Sequence, residues 1–363
     1  MAGLSTAYFL GKGSRLNVTV LEQEKNLGGH ASGRNAGMLR QALPDPVLAL
    51  LAKQSRHYFE SLAGNGWKGL SLKKQGSLLL AKEEDLGELR AIAHSLTRTG
   101  IKNRWLSPSE AGRKVGLLKD GDFSHALFCP SDAMLELEPL LDGFLKSLRA
   151  MGVRVLKGRA LEDVRAVPGG FRVKAGGQDF YASKLVNAAG AWASWVGQRS
   201  GALQMPLAPY RRHLFISNTS AVRSSRAKKW PFVWDVSHDF YFRPVGAGLL
   251  LSPCDKTLER KGDRREKTQP GMKSTLQRKL EDFSPALGRL PIGAGRSGLR
   301  TMTPDGRFIV GEDPKRKGFY WVAGLGGHGV TTCFSVGKLA CDILLGKKVD
   351  NRMKRALSPE RFK

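Results

Sequence analysis

Apolar and polar residues follow two different spacings along this chain, and the changes of spacing mark its elements. Ala2-Gly3-Leu4-Ser5-Thr6-Ala7-Tyr8-Phe9-Leu10 reads as a small-residue helix, and Asn17-Val18-Thr19-Val20-Leu21 as a strand that closes on Glu22. A polar, glycine-rich loop follows from Gly28 to Gly37, and its glycines permit close backbone approach to a ligand. Pro44 and Pro46 then precede an amphipathic helix from about Val47 to Leu62. Strand-like Gly76 to Leu80 and a helix from about Glu83 to Leu96 come next, and Ser107-Pro108-Ser109-Glu110 carries a helix start with proline in its first turn.

The helix from about Leu135 to Met151 feeds a strand at Val153 to Leu156 and a meander clearest at Phe171 to Lys174. Lys184 to Gly190 is a strongly apolar strand, with Ala191-Trp192-Ala193 opening a helix. From about Leu207 to Leu290 the pattern is strand-rich, with His213 to Ile216, Phe240 to Phe242 and Leu249 to Leu251, and predicts a second, substrate-facing domain. The final block reads as a strand from Gly298 to Thr303, the Pro304-Asp305-Gly306 turn, strands at Phe308 to Val310 and Phe319 to Ala323, and a helix from about Gly329 to Leu345.

The opening helix and strand carry the first chemical signal. An acidic residue closing a strand about 20 residues after a glycine turn is placed to accept hydrogen bonds from a ribose 2′-OH. A full fingerprint also has a preceding apolar strand and two earlier glycines, and Met1 stands where that segment would end. Two expectations follow: a longer product whose first strand and turn precede Met1, which the downstream segments favour, or a protein that has lost half of its phosphate cradle.

At 363 residues, 41% hydrophobic and 25% charged, the chain has the composition of a globular protein with two domains or one large α/β body. It has no run of 18 apolar residues, and no secretory signal is visible. Cys129, Cys254, Cys333 and Cys341 form no CxxC, which suits reduced thiols and predicts a cytoplasmic location, with membrane-surface association as the other placement. The histidines lack metal-ligand spacing, so no metal is expected. The net charge of +27 raises the question of a polyanionic partner, since Val222 to Lys229 and Lys256 to Lys279 are both strongly basic. Aromatic residues are sparse in those runs and no nucleic-acid motif accompanies them, so they read as solvated faces rather than a nucleic-acid site.

Four segments taken in order are similar to the FAD-dependent D-amino acid oxidase superfamily, in the branch that holds glycine oxidase, sarcosine oxidase and D-arginine dehydrogenase. They are Gly3 to Glu22, Ala31 to Met38, Leu185 to Trp192, and Gly298-Leu299-Arg300 through Gly326-Gly327-His328-Gly329-Val330. The resemblance implies an α/β fold: an FAD-binding Rossmann-like domain at 1–45, 130–205 and 291–350, and a discontinuous α+β substrate domain on an antiparallel sheet at 46–129 and 206–290. A basic tail would cover 351–363.

The resemblance further implies non-covalent FAD. Gly3, Glu22 and Gln23 would serve the adenosine end, with Leu161 beside the adenine. Ser32, Gly33, Arg34, Asn35, Ala36, Gly37 and Met38 would line the pyrophosphate and flavin, together with Ala189, Gly190 and Trp192. Gly326, Gly327, His328, Gly329, Val330 and Thr331 would sit under the flavin ring, where free N–H groups of the helix expected from Gly329 would stabilise an anionic reduced ring. Arg300 matches the arginine that forks onto the substrate carboxylate, Tyr241 aligns with a tyrosine aimed at the same group, and Arg212 or Arg211 with a substrate-facing arginine.

His328 reads as a flavin neighbour whose backbone matters more than its imidazole, because hydride transfer from a neutral amine to flavin N5 needs no dedicated base. Leu43 and Gly76 stand where D-arginine dehydrogenase has a tyrosine and an acid, which argues against a guanidinium-bearing substrate. Gly298 stands near the flavin-linking cysteine of sarcosine oxidase, which argues against attachment there, and Cys333 reads as core.

The expected reaction is oxidation of an amino acid or secondary amine, a small carboxylate-bearing molecule, to an imine, with oxygen or a quinone as electron acceptor. Two other readings remain open at this point: an FAD-dependent 2-hydroxy-acid dehydrogenase or oxidase, and a flavin-free or RNA-associated basic protein akin to the superfamily's tRNA-modifying branch.

Overall fold

The structure, a computed structural model, describes residues 1–219, 222, 224–225, 227–259 and 268–363. Arg223 and Arg226 of the first basic run and residues 260–267 of the second therefore lie outside the described residues.

In chain order, α1 (Ala2–Gly13) leads to β1 (Thr19–Leu21) and β2 (Met38–Leu39), and α2 (Pro46–Asn65) follows. Asp45 caps α2: its Oδ1 accepts the N–H groups of Val47 at 2.7 Å and Leu48 at 3.3 Å. Next come β3 (Ser77–Ala81), α3 (Leu86–Arg98), β4 (Arg104–Leu106) and α4 (Pro108–Lys114). The start of α4 is a capping box, in which Ser107 Oγ accepts from Glu110 N and the Glu110 carboxylate accepts from Ser107 N. The chain continues with β5 (His125–Cys129), β6 (Ala133–Met134), α5 (Leu137–Ala150), β7 (Arg154–Leu156), the meander β8 (Leu161–Val167), β9 (Gly170–Ala175) and β10 (Gln178–Ala182), β11 (Leu185–Asn187) and α6 (Ala193–Arg199).

The second half adds β12 (Ala208–Asn218), β13 (Phe232–Asp235), β14 (Phe240–Val245), β15 (Gly248–Ser252), β16 (Thr257–Leu258), α7 (Met272–Phe283) and α8 (Pro285–Gly288). It ends with β17 (Gly295–Met302), β18 (Ile309–Glu312), β19 (Phe319–Ala323), α9 (Cys333–Leu344) and α10 (Asn351–Leu357).

These strands form two kinds of sheet. Short parallel pairs, β1 with β7 and β11 with β19, lie beside helices and give the Rossmann-like part, while β18 joins β19 antiparallel. The small residues of α1 have a packing reason: a methyl group on Gly337 of α9 would fall 2.6 to 2.7 Å from Ser5, and one on Gly3 would touch Ala188 at 3.4 Å. Backbones therefore meet where larger side chains would hold them apart. Tyr8, Phe9, Phe144 and Phe334 fill the adjoining core with edge-on ring contacts.

The second sheet is large and mainly antiparallel. Its order runs β17, β12, β15, β14, β13, β3, β5, β4, with β16 also on β12 and a parallel step between β13 and β3. Side chains alternate between its faces. One face carries Phe215, Phe240, Phe242, Leu249 and Leu251 and is closed by Leu276, Leu280 and Phe283 of α7. The other carries Arg212, Leu214, Tyr241 and Trp234 and turns toward the Rossmann-like part.

The strand-rich stretch 207–290 also carries two helices, α7 and α8, at Met272–Phe283 and Pro285–Gly288. Leu276, Leu280 and Phe283 recur at helical spacing and are almost fully buried, while Arg278, Glu281 and Asp282 between them are exposed. The C-terminal helix begins at Cys333 rather than near Gly329, after a stretch of turns. The end of the chain is folded rather than a free tail: Met353 and Leu357 of α10 are buried, and Arg361 Nε donates to Asp305 Oδ2 at 2.8 Å. The strand bearing Arg300, β17, joins the large sheet by pairing along β12 from Ala208 to Phe215.

Candidate active site

A cleft lies between the large sheet and the Rossmann-like part. One end is built by the start of α1 with Ser32, Arg34 and Asn35, and the other by Arg212, Arg300 and the turn Gly324 to Val330.

The loop at the first end is held by its own backbone. Arg34 Nε donates to Gly29 O at 3.0 Å and Nη1 to Ser297 O at 3.3 Å, while Asn35 Oδ1 accepts from Gly37 N at 2.8 Å. Gly33 lies against the carbonyl of Gly28, so no side chain fits there. Gly37, at φ +66°, lies against the Leu135 carbonyl, and Leu135 N donates back to Gly37 O at 2.8 Å. Ala36 is buried beside Tyr241, and Met38 opens β2, so these two face the sheet.

The sheet register explains which arginine reaches the cleft. Arg212 on β12 stands opposite Gly298 on β17, and Tyr210 opposite Arg300, so Arg212 and Arg300 are diagonal neighbours on one face. Arg211 points to the other face, where its Nε donates to Glu259 Oε2 at 2.9 Å. The doublet is thus resolved by strand parity. Glycine at 298 leaves the place across from Arg212 without a side chain, and the loop carrying Ala31 and Arg34 lies over it.

Arg300 Nη2 lies 3.5 Å from the Tyr241 hydroxyl. Its guanidinium backs onto Gly327, where an added Cβ would fall 2.9 Å from Nε. Burial, and then the neighbouring Arg212, pull the Arg300 guanidinium below its ordinary value. His328 is pushed down to about 3 by burial and then by Arg40, Arg300 and Arg212, so its imidazole is neutral at physiological pH. Thr331 Oγ1 donates to Met38 O at 2.9 Å and accepts from Arg40 N at 3.1 Å, which ties the turn to the segment after β2.

Arg40 is a residue the sequence reading missed. It is buried, its Nε donates to Ala42 O at 2.8 Å, and its Cζ sits 3.9 Å above the Trp234 ring. A lone arginine after Met38-Leu39 carries no signal of its own. Only the sheet brings Trp234 under it.

The remaining expected cofactor residues fall into two groups. Ser32, Arg34, Asn35, Gly190, Gly326, Gly327, Gly329 and Val330 line the cleft. Gly3 packs on Ala188, Ala189 packs on the core around Trp321, and the Trp192 ring stands 4.7 Å from His30. Glu22, Gln23 and Leu161 lie outside the cleft lining. Glu22 Oε1 accepts from Glu24 N at 3.0 Å, Gln23 Nε2 lies 3.3 Å from His30 Nε2, and Leu161 begins β8.

Among the described residues no acidic side chain lines the cleft, and no cluster of ligating side chains could hold a metal ion. No helix among them is long and apolar enough to cross a membrane. The residues present fit a dinucleotide with a flat ring: the wall at Gly190, Gly298, Gly324, Gly326 and Gly327 lacks side chains, and buried Arg212 Nε and Nη1 lack a partner.

The cleft has a cationic end beside a glycine turn, and the chain belongs to the family of FAD dependent oxidoreductases (DAO), whose model matches residues 1–343. It is 24% identical over 361 residues to human mitochondrial dimethylglycine dehydrogenase, covering 94% of this chain and 41% of that protein. The chain thus spans about two-fifths of that relative's length. Glycine oxidase from Geobacillus kaustophilus superposes with a TM-score of 0.84 at 23% identity, over 99% of this chain and 96% of that one. L-proline dehydrogenase from P. horikoshii superposes with a TM-score of 0.87 at 20% identity, over 99% and 95%.

Proposed function

We propose that this protein oxidises an amine bearing a carboxylate to the corresponding imine, which water then hydrolyses. The observation that carries this reading is the Arg300 guanidinium, fixed against the backbone of Gly327 and beside the Tyr241 hydroxyl at the substrate end of the cleft. A planar fork of N–H donors with a hydroxyl beside it is suited to a carboxylate. The relatives support the same class, since dimethylglycine, glycine and L-proline all join an amine to a carboxylate through one carbon.

FAD, when bound, supplies the two-electron acceptor for the hydride lost from that carbon. Ser32, Arg34, Asn35 and the Gly326 to Val330 turn would hold it. The protein's own work is orientation. Arg300 and Tyr241 fix the carboxylate, so the neighbouring carbon takes one position in the cleft. Neutral His328 adds no positive charge beside the amine, which must itself be uncharged to react. The test is anaerobic mixing of the FAD-loaded protein with glycine, N-methylglycine and L-proline, followed by flavin absorbance. Bleaching by at least one is expected, and the fall in kcat/KM for Arg300→Ala should correspond to roughly 2–5 kcal/mol of lost transition-state stabilisation, the range for removing one member of a buried charge pair. Unchanged kinetics in that variant would refute the assignment.

A further inference from the structure

Among the described residues, two that are not glycine take the left-handed conformation: Asp239 at φ +53° and Cys254 at φ +52°. There the Cβ crowds a carbonyl oxygen, and the conformation persists only where surrounding contacts fix it. Both residues stand at one end of the large sheet, Asp239 just before β14 and Cys254 two residues after β15, where the strands pair through Tyr241 and Ser252. One side chain serves both turns. Lys279 of α7 donates through Nζ to the Asp239 carbonyl at 2.8 Å and to the Pro253 carbonyl, directly before Cys254, also at 2.8 Å. Asp239 Oδ2, at 3.5 Å, takes the third N–H of the ammonium.

The two turns reach the substrate end of the cleft by separate routes. Tyr241 lies two residues after Asp239, on the strand that the first turn feeds. The second turn passes through Cys254 to Asp255, whose carboxylate accepts from His213 N at 2.8 Å and meets His213 Nδ1 at 2.8 Å. Gln269 N donates to His213 Nε2 at 3.0 Å, so the imidazole proton sits on Nδ1 and is donated to Asp255. Ser252 Oγ completes the grip, donating to His213 O at 2.8 Å and accepting from Cys254 N at 3.2 Å. His213 follows Arg212 directly, so the backbone that carries this arginine is held at both its N–H and its carbonyl. The Cys254 thiol packs in one apolar cluster with Tyr241. Burial pushes that thiol up to about 11, so it stays neutral beside the arginines.

We infer that Lys279 is a positioning residue for carboxylate capture: by fixing the turns at Asp239 and Cys254, it sets Tyr241 and Arg212 in place beside Arg300. The inference rests on the reading of Arg300 and Tyr241 as a carboxylate site. Lys279 itself lies outside the cleft lining and acts through the strands.

The test titrates the FAD-loaded protein with acetate, an unreactive carboxylate, and follows the perturbation of the flavin spectrum at a temperature where every variant is folded. In Lys279→Met, which keeps the chain length and removes the ammonium, acetate should bind roughly tenfold more weakly, the low end of what a hydrogen bond to a charged group is worth. Lys279→Arg, which keeps charge and donors, should retain most of the wild-type affinity. Gly143→Ala, crowded against Trp67 on α5 and remote from the cleft, controls for lost stability and should bind acetate as the wild type does. Should Lys279→Met fail to fold, Lys279→Gln, with N–H donors and no charge, takes its place in the same comparison. Wild-type acetate affinity in that variant overturns the inference, whatever its denaturation midpoint. An equal loss in Gly143→Ala also overturns it, since the effect would then be lost stability alone. If acetate binds and no amine reduces the flavin, amine oxidation falls while the Lys279 comparison still decides the inference. If acetate leaves the wild-type flavin unchanged, the carboxylate site and the inference fall together.

Discussion

Gly327→Ala isolates the role of the backbone under Arg300. Gly327 has φ +91°, outside the region that L-residues readily adopt, and holding a side chain there costs roughly 1–3 kcal/mol. The added Cβ would lie 2.9 Å from Arg300 Nε and 3.0 Å from its Cδ and Cζ, whereas ordinary contact begins at 3.4 Å. The guanidinium must therefore retreat by about 0.5 Å, the difference between 3.4 and 2.9 Å. Misplacement by ~1 Å can cost about 100-fold in rate, so a loss of roughly tenfold in kcat/KM is the expected scale. Steady-state kinetics on the best carboxylate-bearing amine would measure it, with the thermal midpoint followed in parallel. In the double variant with Arg300→Ala the second loss should vanish, because both changes act on one group. Full activity in Gly327→Ala, or additive losses in the double variant, would refute this account of how the guanidinium is positioned.

Other outcomes follow from parts of the fold remote from the cleft. Asp313 is buried and accepts from Trp321 Nε1 at 2.8 Å and from the backbone N–H groups of Leu203, Lys315 and Arg316. Asp313→Ala should destabilise by on the order of 3 kcal/mol in urea denaturation, since buried donors lose their partner. A methyl group on Gly143 would run into the Trp67 ring, so Gly143→Ala should cost roughly 1–3 kcal/mol by overpacking, read in the same assay. His238 is raised above its ordinary 6.5, chiefly by its hydrogen bond to Asp235, with burial opposing. That contribution is complete below the unfolded value and disappears as pH rises through the folded one, so the denaturation midpoint should fall as pH rises from neutrality, and less so in His238→Gln.

Much of this architecture is legible in the residues themselves. The α4 capping box, the Asp45 cap with Pro46 behind it and the small-residue face of α1 are local signals with local causes. Arg300 and the glycine turn are singled out by the family resemblance, which carries them in one continuous segment. Arg40 could not be found that way, because its meaning depends on Trp234, nearly two hundred positions away, arriving beneath it. Choosing between Arg211 and Arg212 likewise required the pairing of β12 with β17. The α7 helix was hidden by charge: Lys273, Arg278 and Lys279 surround a narrow apolar stripe that the surrounding strand pattern outweighed.

The folded C-terminal segment gives the molecule an unexpected mechanical link. Arg361 grips Asp305 and the carbonyl of Arg307, and Arg307 reaches across to Asp45 at the head of α2. These contacts brace the bend joining the strand of Arg300 to the one that follows it. Truncation near residue 350 would remove that brace together with the buried Met353 and Leu357, so the bend after the strand of Arg300 and the core beneath α10 would loosen together.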